Sequence, residues 1–317
     1  MEQPIALYLI GGFLGAGKTT FLRQLLPQLP QGRLGLLVNE FGSVGVDGAV
    51  LRDGELKVVE INNGSIFCAC LKDGFVRTLK AFSEQPIDHL FIEASGMADL
   101  AGMPALLERL SPYLARPYDY RGLICLVDCA TFPDCADVLL PVENQLRAAD
   151  LILLNKTDLV SADDLAAVRQ TVRGWNGDAA IYETRYGAAP LALLDAELSP
   201  HGREGVPTNT PWTRPAVYTL TAPALTVGME SVRQFYQQTA PHLLRLKGFL
   251  DTADGLLHVD GVCGQLELSP CPATPLAGTL VAIGRSAAPF GDALLSAWQA
   301  HCGAALSIAE SLSLIHI

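Results

Sequence analysis

The segment that most constrains the fold of this chain is glycine-rich and covers residues 12–19, Gly-Phe-Leu-Gly-Ala-Gly-Lys-Thr. It fits the pattern G-x-x-x-x-G-K-[S/T] at every fixed position. An apolar run at residues 5–10 precedes it, and a segment with helical spacing at residues 19–26 follows it. A strand, a glycine loop and a helix in this order predict a phosphate-binding loop within an α/β domain.

The residue types in this loop match the chemistry of binding a nucleotide phosphate. Glycines allow backbone N–H groups to close around a β-phosphate, Lys18 supplies a cation for the β and γ oxygens, and the Thr19 hydroxyl is a ligand for Mg²⁺. The alternative, a glycine turn that binds nothing, seldom has a strand and a helix on its two sides. The predicted nucleotide-binding residues here are Gly12, Gly15, Ala16, Gly17, Lys18, Thr19 and Thr20.

Composition excludes several classes of protein. The 317 residues include 22 Lys or Arg and 33 Asp or Glu, and the net charge of −11 argues against nucleic acid and anionic membranes as partners. Hydrophobic residues make up 50% of the chain, but no apolar run reaches the roughly 18 residues of a membrane span. The N-terminus lacks the basic region of a signal peptide, and eight cysteines are too sparse for a disulfide framework. We therefore expect a cytoplasmic protein.

Apolar runs alternate with helix-like segments along the first two thirds of the chain, which predicts a mostly parallel sheet with helices on both faces, the P-loop NTPase architecture. Further strands are predicted at residues 34–39, 89–93, 123–128 and 151–155, and helices at 74–82, 104–113 and 163–175. The predicted domains are residues 1–200, a Pro- and Gly-rich linker at 201–215, and a smaller α+β domain at 216–317.

The second domain has its own pattern of strands and helices. Residues 217–221, 256–262, 265–268 and 279–283 are predicted strands, and residues 229–246 and 290–301 are predicted helices. Residues 311–317 fit neither pattern, and we treat them as a candidate non-native tail.

A second nucleotide motif, Asn155-Lys156-Thr157-Asp158, follows the strand at 151–155. Asp158 can accept hydrogen bonds from the ring N–H and the exocyclic amine of guanine, Lys156 can lie along the base plane, and Asn155 can brace the phosphate loop. This position after a strand favours GTP over ATP. The alternative is a helix-capping Asp beside a solvated Lys.

Two more residues complete the predicted catalytic site. Glu93 ends the strand at 89–93 and can hold Mg²⁺ through water, and Gly96 can donate its N–H to the γ-phosphate. With Lys18 they form the predicted catalytic set. The alternative for Glu93 is an acidic strand end followed by a turn.

Cysteines suggest a separate metal site. Cys68 and Cys70 are one residue apart and follow a turn at residues 62–64, and thiolates favour Zn²⁺ or Cu(I) over Mg²⁺. Two buried structural cysteines are an equally good reading of this pair alone. Cys125 is better read as a core residue, while Asp128 and Cys129, at a strand's carboxyl end, are weaker candidates for contact with metal or nucleotide.

Five segments in order resemble the CobW family of P-loop GTPases. They are Gly-Gly-Phe-Leu-Gly-Ala-Gly-Lys-Thr-Thr at 11–20, Asn-Glu-Phe-Gly at 39–42, Asn-Asn-Gly-Ser-Ile-Phe-Cys-Ala-Cys at 62–70, Glu-Ala-Ser-Gly at 93–96 and Asn-Lys-Thr-Asp at 155–158. Arg-Leu-Lys-Gly at 245–248 and Ile-Gly-Arg at 283–285 extend the resemblance into the second domain. It implies metal chaperones or insertases, with zinc as the main cargo and cobalt or iron in other branches.

The resemblance also implies a ligand set. It places Glu40 and Asp47 in the switch I region and makes Glu40, Cys68 and Cys70 the transition-metal ligands, with Asp47 as a further candidate. Two residues depart from the family pattern: Leu71 replaces an adjacent cysteine, and Ser43 replaces a glutamate. A site with three protein ligands and an open position suits transfer better than storage.

The leading hypothesis is a GTP-hydrolysing metallochaperone that uses GTP and Mg²⁺, binds Zn²⁺ and delivers it to a client metalloprotein. Co²⁺ is the alternative cargo, in a factor that serves one dedicated enzyme or a cobalamin pathway. An alternative from another class is a GTP-switched regulatory protein with structural cysteines. A homodimer is left open.

Overall fold

The computed structural model describes residues 3–29, 33–38, 56–60, 72–94, 100–133, 140–198, 215–286, 288–303 and 305–310. Within these ranges the chain forms two compact units, one on each side of residues 199–214. The first is built on a parallel sheet and the second on an antiparallel one, so the predicted fold class is confirmed. The predicted linker lies almost wholly outside the described residues, and the predicted domain boundaries stay predictions.

The first unit alternates strands with helices. In chain order its elements are β1 (Ile5–Gly12), α1 (Lys18–Leu25), β2 (Leu34–Val38), β3 (Leu56–Glu60), α2 (Lys72–Ser83), β4 (His89–Glu93), α3 (Met103–Leu110), β5 (Tyr118–Asp128), α4 (Leu140–Ala148), β6 (Leu151–Asn155), α5 (Ala162–Trp175), β7 (Ala180–Glu183) and α6 (Ala192–Glu197).

The strands of this unit form one sheet in the order β3-β2-β4-β1-β5-β6-β7, with every pair parallel. β1 is therefore central, and the carboxyl ends of β4, β5 and β6 lie at the same edge of the sheet as its own. No strand is predicted at β3 or β7, because each is short and carries charge, with Lys57 and Glu60 in β3 and Glu183 in β7. Charged side chains are common on edge strands.

α1, the helix that follows the glycine loop, packs on one face of this sheet. Phe21, Leu22 and Leu25 repeat at helical spacing, are buried, and belong to the same apolar cluster as Phe91 and Leu153 of the sheet. Burying one such side chain stabilises the fold by about 1.5–3 kcal/mol. The glycine loop is thus held between a buried strand and a helix with a buried face.

The second unit contains β8 (Val217–Thr221), α7 (Met229–Thr239), β9 (Leu243–Thr252), β10 (Gly255–Val262), β11 (Gln265–Pro270), β12 (Thr279–Gly284), α8 (Gly291–His301) and β13 (Ser307–Glu310). Its strands form an antiparallel sheet in the order β11-β10-β9-β12-β8-β13. Phe235 of α7 and Trp298 of α8 meet edge to face with ring centroids 5.1 Å apart in the core of this unit.

The helix predicted at residues 229–246 is wrong in its second half. α7 ends at Thr239, a 3₁₀ turn follows at Ala240–His242, and β9 begins at Leu243. Pro241 lies in that turn and cannot continue the helical hydrogen bonds. The apolar residues after it then alternate with charged ones, which is the period of a strand rather than of a helix.

Helix length bears on the prediction that no segment crosses a membrane. Within the ranges given above, the structure has no helix with both the length and the apolar character that a bilayer span requires.

Candidate functional site

The glycine loop between β1 and α1 has a backbone that only glycine adopts readily. Gly12, Gly15 and Gly17 have φ angles of 126°, 76° and 97°, in a region that disfavours residues with a Cβ atom. A Cβ at Gly12 would lie 2.4 Å from the carbonyl oxygen of Leu126, and one at Gly17 would lie 2.4 Å from Asn155 Nδ2. These glycines therefore allow the loop to lie directly against β5 and β6.

Lys18, the first residue of α1, closes over this loop. Its side chain is largely buried, and Nζ donates to the carbonyl oxygens of Gly12 at 2.8 Å and Phe13 at 3.1 Å. Thr20 lies two residues further along the same helix and is exposed. The Lys18 ammonium thus lies against the glycine loop, next to the positive N-terminal end of α1.

Thr19, in the first turn of α1, contacts Glu93, the last residue of β4. The Thr19 hydroxyl donates to Glu93 Oε1 at 2.9 Å, and only 4% of Glu93 is exposed. β1 and β4 are adjacent, and Ala94 N–H donates to the carbonyl oxygen of Ile10 at 2.9 Å, which keeps the end of β4 close to the loop. A hydroxyl and a carboxylate are the hard oxygen donors that Mg²⁺ prefers, so this pair fits that ion.

Asn155, at the end of β6, connects two loops. Its Nδ2 donates to the carbonyl oxygen of Ala16 at 2.9 Å, and its Oδ1 accepts from Gly187 N–H at 3.0 Å. The side chain is almost fully buried, so both ends of the amide are used where water cannot replace them. The glycine loop, β6 and the loop after β7 are thereby fixed to one another.

Lys156 and Asp158 follow Asn155 at the same edge of the sheet. Lys156 has a φ of 61°, and its Nζ lies 2.7 Å from Oδ2 of Asp128, the last residue of β5. Asp158 is exposed and lies in a 3₁₀ turn, Thr157–Leu159. Parallel strand order thus brings the two predicted nucleotide motifs together although more than 130 residues separate them.

Gln145 of α4 contacts the glycine loop but was not among the predicted site residues. Its Oε1 accepts from Gly12 N–H at 2.7 Å, and 1% of the residue is exposed. Gly187 was also missed. Neither residue belongs to a local motif, so only the tertiary contact identifies them. Asp128, a weak candidate in the sequence, is the partner of Lys156.

Several predicted site residues lie outside the described residues, so their positions stay predictions. They are Glu40, Asp47, Cys68, Cys70 and Gly96. Among the residues that are described, no group of three or more His, Cys, Asp or Glu side chains is arranged to hold a metal ion.

The thiols of Cys125 and Cys129 have the properties of core residues. Both are buried, and burial raises the pKa of each to about 12. A cysteine binds metal as a thiolate, whereas these two thiols keep their protons at neutral pH. Their environment favours packing over metal binding.

Comparison with known proteins shows the family to which this sequence belongs. Residues 6–183 match the family described as CobW/HypB/UreG, nucleotide-binding domain. The zinc chaperone CobW of Sinorhizobium sp is 38% identical over 224 residues, which cover 61% of this chain and 62% of that protein. The zinc chaperone YjiA of Escherichia coli is 34% identical over 198 residues, 61% of each chain.

A eukaryotic relative is similar over a comparable stretch. The zinc-regulated GTPase metalloprotein activator 1 of Schizosaccharomyces pombe is 32% identical over 223 residues, 66% of this chain and 53% of that protein. The chain therefore spans between half and two thirds of the length of these relatives. The family match covers more than half of the chain and includes the glycine loop, Glu93 and Asn155–Asp158. The chain belongs to the CobW/HypB/UreG family of nucleotide-binding proteins.

Proposed function

We propose that this protein binds and hydrolyses GTP and that its nucleotide state controls the binding of Zn²⁺ and its delivery to a client metalloprotein in the cytoplasm. The observation that carries the proposal is the convergence of the glycine loop, the Thr19–Glu93 pair and Asn155–Asp158 at one edge of a parallel sheet. Ligands of open α/β sheets bind at this edge.

The phosphate end of the site has the groups that hydrolysis needs. Gly12 N–H donates to Gln145, so the backbone amides of residues 13–17 and the Lys18 ammonium neutralise the β- and γ-phosphates, and Gly96 N–H binds the γ-phosphate. Thr19 and Glu93 would hold Mg²⁺, Glu93 through water, and the bound ion would supply positive charge next to the β- and γ-phosphate oxygens. Water attacks the γ-phosphorus as the bond from that phosphorus to the β–γ bridging oxygen breaks, and the products are GDP, phosphate and a proton released to solvent.

The base end of the site selects guanine. Asp158 is exposed at the surface of the site and accepts from the guanine N1–H and exocyclic amine, while Lys156 lies along the base plane. Asn155 takes no direct part in this recognition. Its hydrogen bonds to Ala16 and Gly187 hold the base-binding and phosphate-binding segments at a constant separation.

The cargo site is assigned to Glu40, Cys68 and Cys70, with Asp47 as a further candidate ligand. Similarity to proteins named zinc chaperones supports zinc over cobalt. Leu71 leaves the site with three protein ligands, which keeps one coordination position for an incoming ligand from the client. GTP orders switch I, which carries Glu40, so that nucleotide and metal bind to the same state.

The proposal is tested by titrating the metal-free protein with Zn²⁺ in the presence of Mg²⁺ and either GDP or a non-hydrolysable GTP analogue. We expect submicromolar binding that depends on both thiols and is tighter with the GTP analogue. The double variant Cys68→Ser/Cys70→Ser should lose it. Cys271→Ser is the matched control, because Cys271 is a free, partly exposed thiol of the second unit.

Two outcomes would contradict the proposal. Zinc binding that is the same with either nucleotide would leave a GTP-switched regulator with structural cysteines. Tight binding that survives the double variant would place the metal elsewhere. Co²⁺ in a parallel titration tests the alternative cargo, and co-purification under zinc starvation tests for the client and for a homodimer.

A further inference from the structure

The ion pair between Asp128 and Lys156 joins two strand ends at the base side of the site. Asp128 is the last residue of β5, and its carboxylate oxygen Oδ2 lies 2.7 Å from Lys156 Nζ. The Asp128 side chain is 6% exposed and the Lys156 side chain 33%. The carboxylate is thus buried, while part of the lysine side chain is accessible to solvent and therefore to a bound base.

We propose that Asp128 is a positioning residue for guanine-nucleotide binding, which acts by holding the Lys156 ammonium so that the lysine's methylene chain lies along the base. This inference rests on the proposed nucleotide function of the site. It adds a residue from β5 to a recognition element that the sequence motif confines to residues 155–158.

Asp128 is itself held in place by the backbone around it. Its Oδ1 accepts from Ala130 N–H at 3.0 Å, and Cys129 N–H donates to the carbonyl oxygen of Asn155 at 3.0 Å. Asp128 and Asn155 are also register partners in the parallel β5–β6 pair. One carboxylate oxygen therefore fixes the turn after β5, and the other is available to the ammonium.

The backbone conformation of Lys156 and the ion pair together restrict the position of the lysine side chain. With φ 61° and ψ 33°, Lys156 adopts the left-handed conformation that residues with a side chain seldom adopt. That conformation sets the direction in which the side chain leaves the chain, but a lysine has four further rotatable bonds. A charge-assisted hydrogen bond to a buried carboxylate removes much of that freedom before the nucleotide binds.

Charge neutralisation separates the role of Lys156 from that of Lys18. An ammonium already paired with a buried carboxylate gains little from a distant phosphate, so Lys156 remains at the base end of the site. Lys18, by contrast, is held by backbone carbonyl oxygens at the phosphate loop. The two lysines of the motifs therefore serve opposite ends of the nucleotide.

The test is a double-mutant cycle on affinity for GDP, with the variants Asp128→Asn, Lys156→Gln and the double variant. The asparagine keeps an oxygen for Ala130 N–H, but it removes the negative charge next to Lys156. Asp119→Asn is the matched control, because Asp119 lies on the same strand and pairs with the exposed Arg121 at 3.2 Å.

We expect each single variant to weaken GDP binding about tenfold and the double variant to weaken it no further, because both changes remove one interaction. KM for GTP should rise in Asp128→Asn while kcat stays near the wild-type value. Asp119→Asn should bind GDP like the wild type. A purely structural role for Asp128 predicts losses that multiply to about a hundredfold, and that result would overturn the proposal.

The design remains decisive if Asp128→Asn alone does not fold. Lys156→Gln and the double variant should then bind GDP equally, and a weaker double variant would contradict the proposal. Failure of the positioning role is also distinct from failure of the proposed function. Wild-type protein that binds GDP and ADP equally would refute guanine recognition, whereas unchanged GDP affinity in Asp128→Asn would refute only the role of Asp128.

Discussion

At the scale of single residues, the site depends on buried polar side chains that connect its segments. Asn155 and Gln145 both contact the glycine loop, and both are almost completely buried. A buried donor or acceptor that loses its partner retains the full cost of its desolvation. These amides should therefore affect stability and nucleotide binding together, unlike the exposed Asp158.

Replacing Asp158 with Asn should change which nucleotide binds best. The asparagine keeps one acceptor oxygen and replaces the other with an NH₂ donor, so guanine loses the hydrogen bond from its exocyclic amine, while the O2 carbonyl of xanthine can accept from the new donor. We expect GDP affinity to fall at least tenfold and XDP to become the preferred ligand. Competition with a fluorescent nucleotide measures both, and an unchanged preference for GDP would refute the assignment of Asp158.

Replacing Gln145 with Leu should weaken the glycine loop from outside the motif. The variant leaves Gly12 N–H without the acceptor that lies 2.7 Å away. The expected loss is about 1–3 kcal/mol in the free energy of unfolding, with weaker GDP binding. Urea denaturation and nucleotide titration measure the two effects. Gln234→Leu, at an exposed helix position of the second unit, is the control, and equal behaviour of the two variants would contradict the prediction.

The buried thiol of Cys125 should make the protein less stable at alkaline pH. Burial raises its pKa to about 12, above the value of roughly 8.5 for a thiol in the unfolded chain. Between these values the folded state binds more protons than the unfolded state, so stability falls as pH rises. Cys125→Ala should show a shallower decline in urea midpoint from pH 8 to 10.5. A slope equal to the wild type would contradict this, and the less buried Cys271→Ala is the control.

At the scale of elements, β9 shows how one residue permits a strand to be central. Gly248 is paired with Val259 of β10 and with Leu280 of β12. Its φ is 149°, and a Cβ there would lie 2.1 Å from the carbonyl oxygen of Thr279. The glycine of the Arg-Leu-Lys-Gly segment thus allows β12 to approach β9. Close packing of the two strands is a sufficient reason for a glycine at this position.

Gly248→Ala should strongly destabilise the second unit. A matched variant is Gly255→Ala, because Gly255 also has a positive φ, 101°, but has nothing within 4 Å of its Cβ position. Gly255→Ala should cost about 1–2 kcal/mol from backbone strain alone, and Gly248→Ala should cost at least about 2 kcal/mol more because of the steric clash. Urea unfolding followed by tryptophan fluorescence compares them. Equal losses would show that the clash is relieved.

At the scale of the whole molecule, the proposed coupling between nucleotide and metal must be reciprocal. If the GTP state binds Zn²⁺ more tightly by some factor, Zn²⁺ must tighten GTP binding by the same factor. We expect a factor of about 5–150, the usual range for such coupling. Calorimetric titration of a non-hydrolysable GTP analogue, with and without Zn²⁺, measures it. An analogue affinity that Zn²⁺ leaves unchanged would refute the coupling.

Parts of the fold and of the site follow from local sequence. Residues 12–19 specify their own loop, because glycines at fixed positions allow φ angles that other residues avoid, and the strand and helix beside them are uninterrupted apolar patterns. The same is true of Asn155–Asp158 after β6. β9 is wrongly predicted as helix because its apolar residues follow directly on those of α7, and a short apolar run does not distinguish a buried strand from a buried helix.

The sequence by itself determined the glycine loop, the Asn155–Asp158 segment after its strand and the alternation of strands with helices that is typical of a parallel sheet, because each depends on neighbouring residues. Only the tertiary structure decided that Gln145 holds Gly12, that Gly187 holds Asn155 and that Asp128 holds Lys156. The partners in these contacts are 133, 32 and 28 residues apart. They meet because the strand order places β1, β5, β6 and β7 side by side, and no local pattern encodes that order.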